Sequence, residues 1–275
     1  MTGTALGFAG RIASGKSTVS DKVAVRLGVP RVSFRHYLET VAVNRGISDV
    51  TREVLQDLGE QEIKVHGFKD FCRAVLDQAR WHPGQAVVID GIRHVEAANA
   101  LREIVSPAEF HLIYIDMDSE TQRQRLPRSL RHRKPIQELE RHSTEVQVPK
   151  ELPKVAELLL DAHKNPDELA EEVVRWANRS DVSERFRKLA TKWRAAVGPL
   201  SSSTKIIQHP AYQEIIKLGR DAVPLILQEL EKKPDHWFAA LRAITGEDPV
   251  APEDRGRMDR MAASWVRWGR EHELK

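Results

Sequence analysis

The sequence predicts an α/β domain followed by a small all-α domain. Two observations carry this. From Met1 to about Ser180, short apolar runs alternate with amphipathic stretches, the pattern of strand-helix units around a parallel sheet. Beyond Asp181 strand-like runs vanish, and four of the six tryptophans (Trp193, Trp237, Trp265, Trp268) lie in that last third. The boundary is therefore set at 1–180 and 181–275. A chain of 275 residues suits two domains, since single cores stop growing near ~250 to 300 residues.

Strands are expected at 4–9, 31–34, 86–90, 111–116 and 155–160, from their apolar, β-branched character between turn residues. Helices are expected at 16–27, 37–44, 51–65, 68–80, 95–104, 121–126 and 166–178. In the last third, 212–218, 222–230, 236–244 and 258–271 read as helices and Gly198 to Ser203 as a loop. No repeat at solenoid periods is visible.

Hydrophobic residues at 41% and charged residues at 30% describe a chain able to bury a core, which excludes wholly disordered and fibrous classes. No run approaches the ~18 apolar residues of a membrane span, and the N-terminus lacks the zones of a signal peptide. A cytoplasmic protein is expected. Its lone cysteine, Cys72, permits no internal disulfide and reads as a small core residue. With 43 basic against 40 acidic side chains, net charge gives weak support for nucleic-acid binding.

The strongest chemical signal is Gly10-Arg11-Ile12-Ala13-Ser14-Gly15-Lys16-Ser17-Thr18, a complete G-x-x-x-x-G-K-[ST] match between a strand and a helix. Its glycines permit a tight loop. The backbone amides of Gly10, Ala13, Ser14, Gly15, Lys16, Ser17 and Thr18 then surround phosphate oxygens at the positive end of a helix dipole. Lys16 reaches the β- and γ-phosphates, and the Ser17 hydroxyl ligates Mg²⁺. Asp90 ends the continuous apolar run Ala86 to Ile89, at the carboxyl edge where such sheets bind ligands, and is the second metal candidate. The alternative for Asp90 is a turn residue before Gly91.

At these residues the chain resembles the P-loop nucleotide kinases, specifically the adenylate-kinase-like and dephospho-CoA-kinase-like group, over about residues 1–177. The resemblance implies a three-layer P-loop NTPase sandwich with a five-stranded parallel sheet in the order 2-3-1-4-5. It also implies ATP and Mg²⁺ as cofactors and γ-phosphoryl transfer to a small phosphorylated acceptor, of nucleoside monophosphate or dephospho-CoA type. Asp90-Gly91-Ile92-Arg93 is similar to the family segment whose arginine binds the acceptor, which makes Arg93 the acceptor candidate.

The segment from Arg123 to Lys134 lies where this family carries its lid, with six Arg and Lys side chains and no acid. Arg123, Arg125 and Arg128 are the expected triphosphate contacts, because cations closing around the transferred group stabilise its spreading charge. Leu160 to Pro166 resembles the loop bordering adenine, although capping accounts for Asn165 equally well.

One stretch departs from the family pattern. The glycine, aspartate and arginine positions of its Ser-x-Gly-Asp-x-x-Arg-like segment are Arg35, His36 and Glu39 here. His36 is then a candidate general base and Arg35 a replacement acceptor cation, while Glu39 reverses a phosphate-binding charge. The alternative reading is an ATP-binding regulatory protein with a degenerate acceptor site, signalling to a protein partner through residues 181–275. The tryptophans of that domain read as packing residues, and His209 and His236 as cap or core residues.

Overall fold

The computed structural model describes residues 3–126, 148–197 and 203–274. The chain divides into two compact units, Met1–Trp176 and Ala177–Lys275.

In the first unit β1 (Thr4–Gly10), β2 (Arg31–Ser33), β3 (Val87–Asp90), β4 (Glu109–Asp116) and β5 (Leu158–Asp161) form one parallel sheet in the order β2-β3-β1-β4-β5. Every residue of the central strand β1 is buried. A strand covered on both faces is stable only if continuously apolar or small, which TALGFAG satisfies. Around the sheet stand α1 (Lys16–Leu27), α2 (Phe34–Asn44), α3 (Arg52–Gln78), α4 (Val95–Ile104), α5 (Ser119–Arg125) and the short α6 (Leu152–Val155). Register brings the functional ends together: Asp90 lies opposite Phe8 of β1 and Ser33 of β2.

Several boundaries differ from the sequence expectation, each for a local reason. β4 begins at Glu109 rather than His111 because Thr4 of β1 pairs with it. The stretch 155–160 divides, with Pro153 opening the α6 turn and β5 starting at Leu158. α2 starts at Phe34 rather than Tyr37, capped by Ser33, whose hydroxyl accepts from the His36 amide at 3.5 Å. The two helices expected at 51–65 and 68–80 follow one another as α3, with a non-helical break at Gly67 (φ 76°, ψ 168°). Cys72, fully buried on α3, has its thiol pushed up to about 12 by burial.

The largest difference is α7 (Pro166–Val197), which continues well past the expected end at 178, so that the expected 180/181 boundary falls inside it. Its C-terminal part presents Phe186, Ala190, Trp193 and Val197 at helical spacing, and these are buried in the core of the second unit. That core is completed by α8 (Ser203–Gln208), α9 (Pro210–Lys217), α10 (Val223–Lys232), α11 (Phe238–Thr245) and α12 (Met258–Glu271). Ser203, expected in a loop, opens α8.

Aromatic rings hold this second core. The Tyr212 and Trp237 rings stack at 5.7 Å, and Trp193 lies 4.4 Å from Trp237. The Tyr212 hydroxyl donates to the His236 carbonyl at 2.7 Å and accepts from the Ala240 amide at 3.0 Å. Trp193 Nε1 donates to the Ile206 carbonyl at 3.1 Å. His209 caps α9, its Nδ1 accepting from the Ala211 amide. Among the described residues, no helix is long and apolar enough to cross a membrane.

A candidate phosphate-binding site

The loop from Gly10 to Gly15 leaves the carboxyl end of β1 and turns into α1. Gly10 is required there, since a Cβ would stand 2.8 Å from both the Ile115 carbonyl and the Ser14 hydroxyl. Ala13 holds a left-handed conformation (φ 66°), which costs an L-residue roughly 1 to 2 kcal/mol. Gly15 is the N-cap of α1 at φ 85°, makes no side-chain cap and faces open space where a Cβ would project. The first amides of a 12-residue helix thus open outward at its positive end. Beside them the Ser14 hydroxyl is buried without a hydrogen-bond partner among the described residues. A buried polar atom carries a desolvation cost unless something satisfies it, and a phosphate oxygen has the chemistry to do so. Lys16 Nζ meanwhile donates to the Arg11 carbonyl at 3.4 Å.

Asp90, at the end of β3, is 3% exposed. Its Oδ2 accepts from Arg31 Nη2 at 2.6 Å, while Oδ1 is buried with no hydrogen-bond partner among the described residues. Ser17 and Asp90 line the same cavity, so a hydroxyl and an unpartnered carboxylate oxygen are available to a divalent cation. Among the described residues no group of three or more His, Cys, Asp or Glu forms a dedicated cage. Two oxygen donors fit a hard cation such as Mg²⁺, which takes its remaining ligands from water and substrate phosphates.

This cavity, of about 320 Å³, collects Lys16, Ser17, Asp90, Arg93 and Arg35. Its further walls come from α2 (Phe34, Leu38) and from one face of α3, where Arg52, Gln56, Gly59 and Ile63 recur at helical spacing. Arg52 and Gln56 were not singled out by sequence reasoning, although that periodicity was the available signal. Arg35 is already paired, its Nε standing 2.7 Å from Glu39 Oε1.

His36 is not among the residues that line this cavity. Successive helical residues are about 100° apart, and with Arg35 on the cavity side His36 borders a separate cleft with Arg31, Ser33 and Gln78. Its side chain is 74% exposed.

The expected lid residues divide. Arg123, on α5, is exposed and paired with Glu120 at 2.7 Å, and Arg125 is exposed; neither lines the cavity. Arg128 lies outside the described residues. Thr18 is exposed in the first turn of α1.

Two residues that the sequence did not single out, Gln122 and Arg31, bear on the site. Gln122, fully buried on α5, donates from Nε2 to the Ile12 carbonyl at 3.3 Å, and Arg11 Nη1 reaches Ser119 Oγ at 2.9 Å. Leu126 packs against Ile12 and Ala13.

Beyond the ends of β4 and β5, His163 joins two loops. Its Nδ1 stands 2.7 Å from Asp161 Oδ1 and its Nε2 3.1 Å from Asp118 Oδ2. The Asp161 hydrogen bond raises the His163 pKa. The His163 amide and ring lower that of Asp161. Asp118, capping α5, is held at about 2 chiefly by the Thr121 hydroxyl and amide. Asn165 accepts from the Asp167 amide at 2.9 Å and so acts as a cap.

No protein-family model matches this chain, and no curated protein matches it. Solved structures do resemble it. A gluconokinase from Sinorhizobium meliloti 1021 is 16% identical, with 62% of this chain and 88% of that one covered and a TM-score of 0.42. Shikimate kinase from Aquifex aeolicus is 19% identical over 62% and 94%, with a TM-score of 0.41. APS kinase from Mycobacterium tuberculosis, in complex with AMPPNP and APS, is 17% identical over 63% and 96%, with a TM-score of 0.42. The fold assignment rests on the chain itself: a parallel sheet in the order 2-3-1-4-5, with a G-x-x-x-x-G-K-[ST] loop between its central strand and the first helix, gives the first unit a P-loop kinase-like fold.

Proposed function

We propose that the chain is an ATP- and Mg²⁺-dependent phosphotransferase that moves the γ-phosphoryl of ATP to a small nucleotide-like acceptor. The observation that carries this reading is one cavity lined by both sets of groups, Lys16, Ser17 and Asp90 for the donor and Arg93 and Arg35 for the acceptor. The loop amides and Lys16 hold the donor phosphates, and Ser17 with Asp90 Oδ1 hold the cation. Bound there, Mg²⁺ neutralises charge on the phosphate oxygens.

On the acceptor side, arginines bind an anionic group through their rigid fork of donors. The apolar walls Phe34, Leu38, Leu55 and Phe71 suit a planar unsaturated body better than a polyol, which would need a polar partner for each hydroxyl. Phosphoryl transfer through a loose transition state depends on positioning and charge more than on proton abstraction. The reading therefore stands without His36.

The Arg35–Glu39 pair favours a second reading, in which an acceptor cation is already neutralised and ATP controls engagement of a protein partner by the helical unit.

The test is transfer from γ-labelled ATP with Mg²⁺ to a panel of nucleoside and deoxynucleoside monophosphates and dephospho-CoA, with gluconate and shikimate as polyol controls and Lys16→Ala as the inactive reference. Transfer to a nucleotide-like acceptor, lost in Lys16→Ala, supports the kinase. Tight ATP binding without transfer supports the second reading, and ATP binding unchanged in Lys16→Ala sinks the phosphate-loop assignment.

A further inference from the structure

We infer that Arg31 is a positioning residue that presents one oxygen of Asp90, and with it the Ser17 turn, to the metal-bound donor. The inference rests on the donor half of the proposed function.

Arg31 opens β2 and its guanidinium forks between two partners. Nη2 donates to Asp90 Oδ2 at 2.6 Å and Nε to Ser20 Oγ at 2.9 Å. Ser20, fully buried on α1, passes the connection on by donating to the Ser17 carbonyl at 3.0 Å. One planar group therefore links the backbone of one candidate metal ligand to the carboxylate of the other. The Asp90 side chain is 4% exposed and that of Arg31 25%. A carboxylate this deep needs a compensating cation, and Arg31 supplies it. The contact occupies Oδ2 and leaves Oδ1 buried and without a hydrogen-bond partner among the described residues. Of the two carboxylate oxygens, Oδ1 is thus the one available to the cation.

The fork distinguishes Arg31 from a mere positive charge. Lysine retains the charge but cannot hold Ser20 and Asp90 in one fixed plane. If the guanidinium only competed with a metal for Asp90, its removal would strengthen metal binding; if it positions Asp90, its removal weakens it. The two accounts have opposite signs.

The experiment measures Mn²⁺ binding by electron paramagnetic resonance to full-length protein in the presence of a non-hydrolysable ATP analogue. Affinity for the analogue without metal and thermal melting are measured in parallel, for wild type, Arg31→Gln, Arg31→Lys and Ser20→Ala. Groups that orient metal ligands typically contribute ~10- to 100-fold to metal affinity. Arg31→Gln and Arg31→Lys are therefore expected to weaken Mn²⁺ about 10-fold or more, with Ser20→Ala weakening it in the same direction and metal-free affinity for the analogue nearly unchanged. Unchanged or tighter Mn²⁺ binding in Arg31→Gln, or full retention in Arg31→Lys, overturns the positioning role, as does an equal loss of metal-free binding. Should Arg31→Gln fail to fold, Arg31→Lys and Ser20→Ala decide. A wild-type protein that binds no analogue overturns the donor reading itself, a result distinct from wild-type binding that the variants leave unaltered.

Discussion

The side-chain amide of Gln122 donates to the main-chain carbonyl of Ile12 at 3.3 Å, joining α5 to the middle of the phosphate loop across 110 residues of chain. The amide is fully buried, and the arrangement makes α5 a brace for a loop that already holds Ala13 at a strained φ. Replacing Gln122 by Leu retains bulk but leaves the Ile12 carbonyl without this donor, at a cost of about 1 to 3 kcal/mol. The expected outcome is a lower melting temperature and several-fold weaker binding of an ATP analogue by calorimetry. Normal nucleotide affinity in a destabilised variant would restrict Gln122 to a structural role.

Arg93 follows Asp90 by one short turn and lines the cavity. Arg93→Ala is expected to raise the KM for the acceptor at least 10-fold, the loss of about one charge-assisted contact, while the KM for ATP changes less than about two-fold. Steady-state kinetics with each substrate varied in turn separates the two. A defect confined to ATP would remove Arg93 from the acceptor side.

In the second unit, the Tyr212 hydroxyl serves the His236 carbonyl and the Ala240 amide at once. Tyr212→Phe preserves the stacking on Trp237 and removes only the oxygen. Since a buried amide is left unsatisfied, destabilisation of about 1 to 3 kcal/mol is expected, measured by urea unfolding of the full chain followed through tryptophan fluorescence. Trp237→Phe is the internal contrast, because its buried indole nitrogen makes no hydrogen bond among the described residues and the change removes ring area, part of it beneath the Arg194 guanidinium.

The His163 bridge predicts a pH dependence with a definite sign. Because His163 is raised above 6.5, its contribution is fully present below about 6.5 and is lost as pH rises through the higher folded value. Asp118 and Asp161 are lowered, so theirs are present above about 3.8 and are lost as pH falls, for Asp118 near about 2. The bridge is therefore complete between roughly pH 4 and 6.5. Proton NMR of the His163 ring should show an inflection above 6.5 that moves down in Asp161→Asn. An inflection at or below 6.5 in the wild type would contradict the bridge. All three groups are solvent-exposed, so the effect is confined to these two loops.

What the sequence made legible is what depends on neighbouring residues. The phosphate loop follows from glycines at fixed offsets, and Asp90 from its place after an apolar run, because both are consequences of local backbone chemistry. Arg31 and Gln122 act across 59 and 110 residues, respectively, and only the packed sheet brings them to their partners. The placement of His36 depends on helical phase, which the sequence alone does not fix: with α2 beginning at Phe34, Arg35 takes the cavity side and His36 borders a separate cleft. The extension of α7 was hidden by the polar run Asn178-Arg179-Ser180, which imitates a helix end although the apolar stripe resumes at Phe186.

The break at Gly67 divides α3 into a segment that carries Arg52, Gln56 and Ile63 on the cavity wall and a segment that anchors Cys72, Val75 and Leu76 in the core of the sheet domain, with Phe71 belonging to both wall and core. At Gly67 the helical φ/ψ repeat is interrupted, so the two segments need not share one helical phase. Substitutions along the wall can consequently alter which molecule fits while the anchoring half and the phosphate loop keep their positions. Under the proposed function, acceptor selectivity would then be separable from the phosphate loop, and an engineer seeking a new acceptor would vary positions 52, 56 and 63 first.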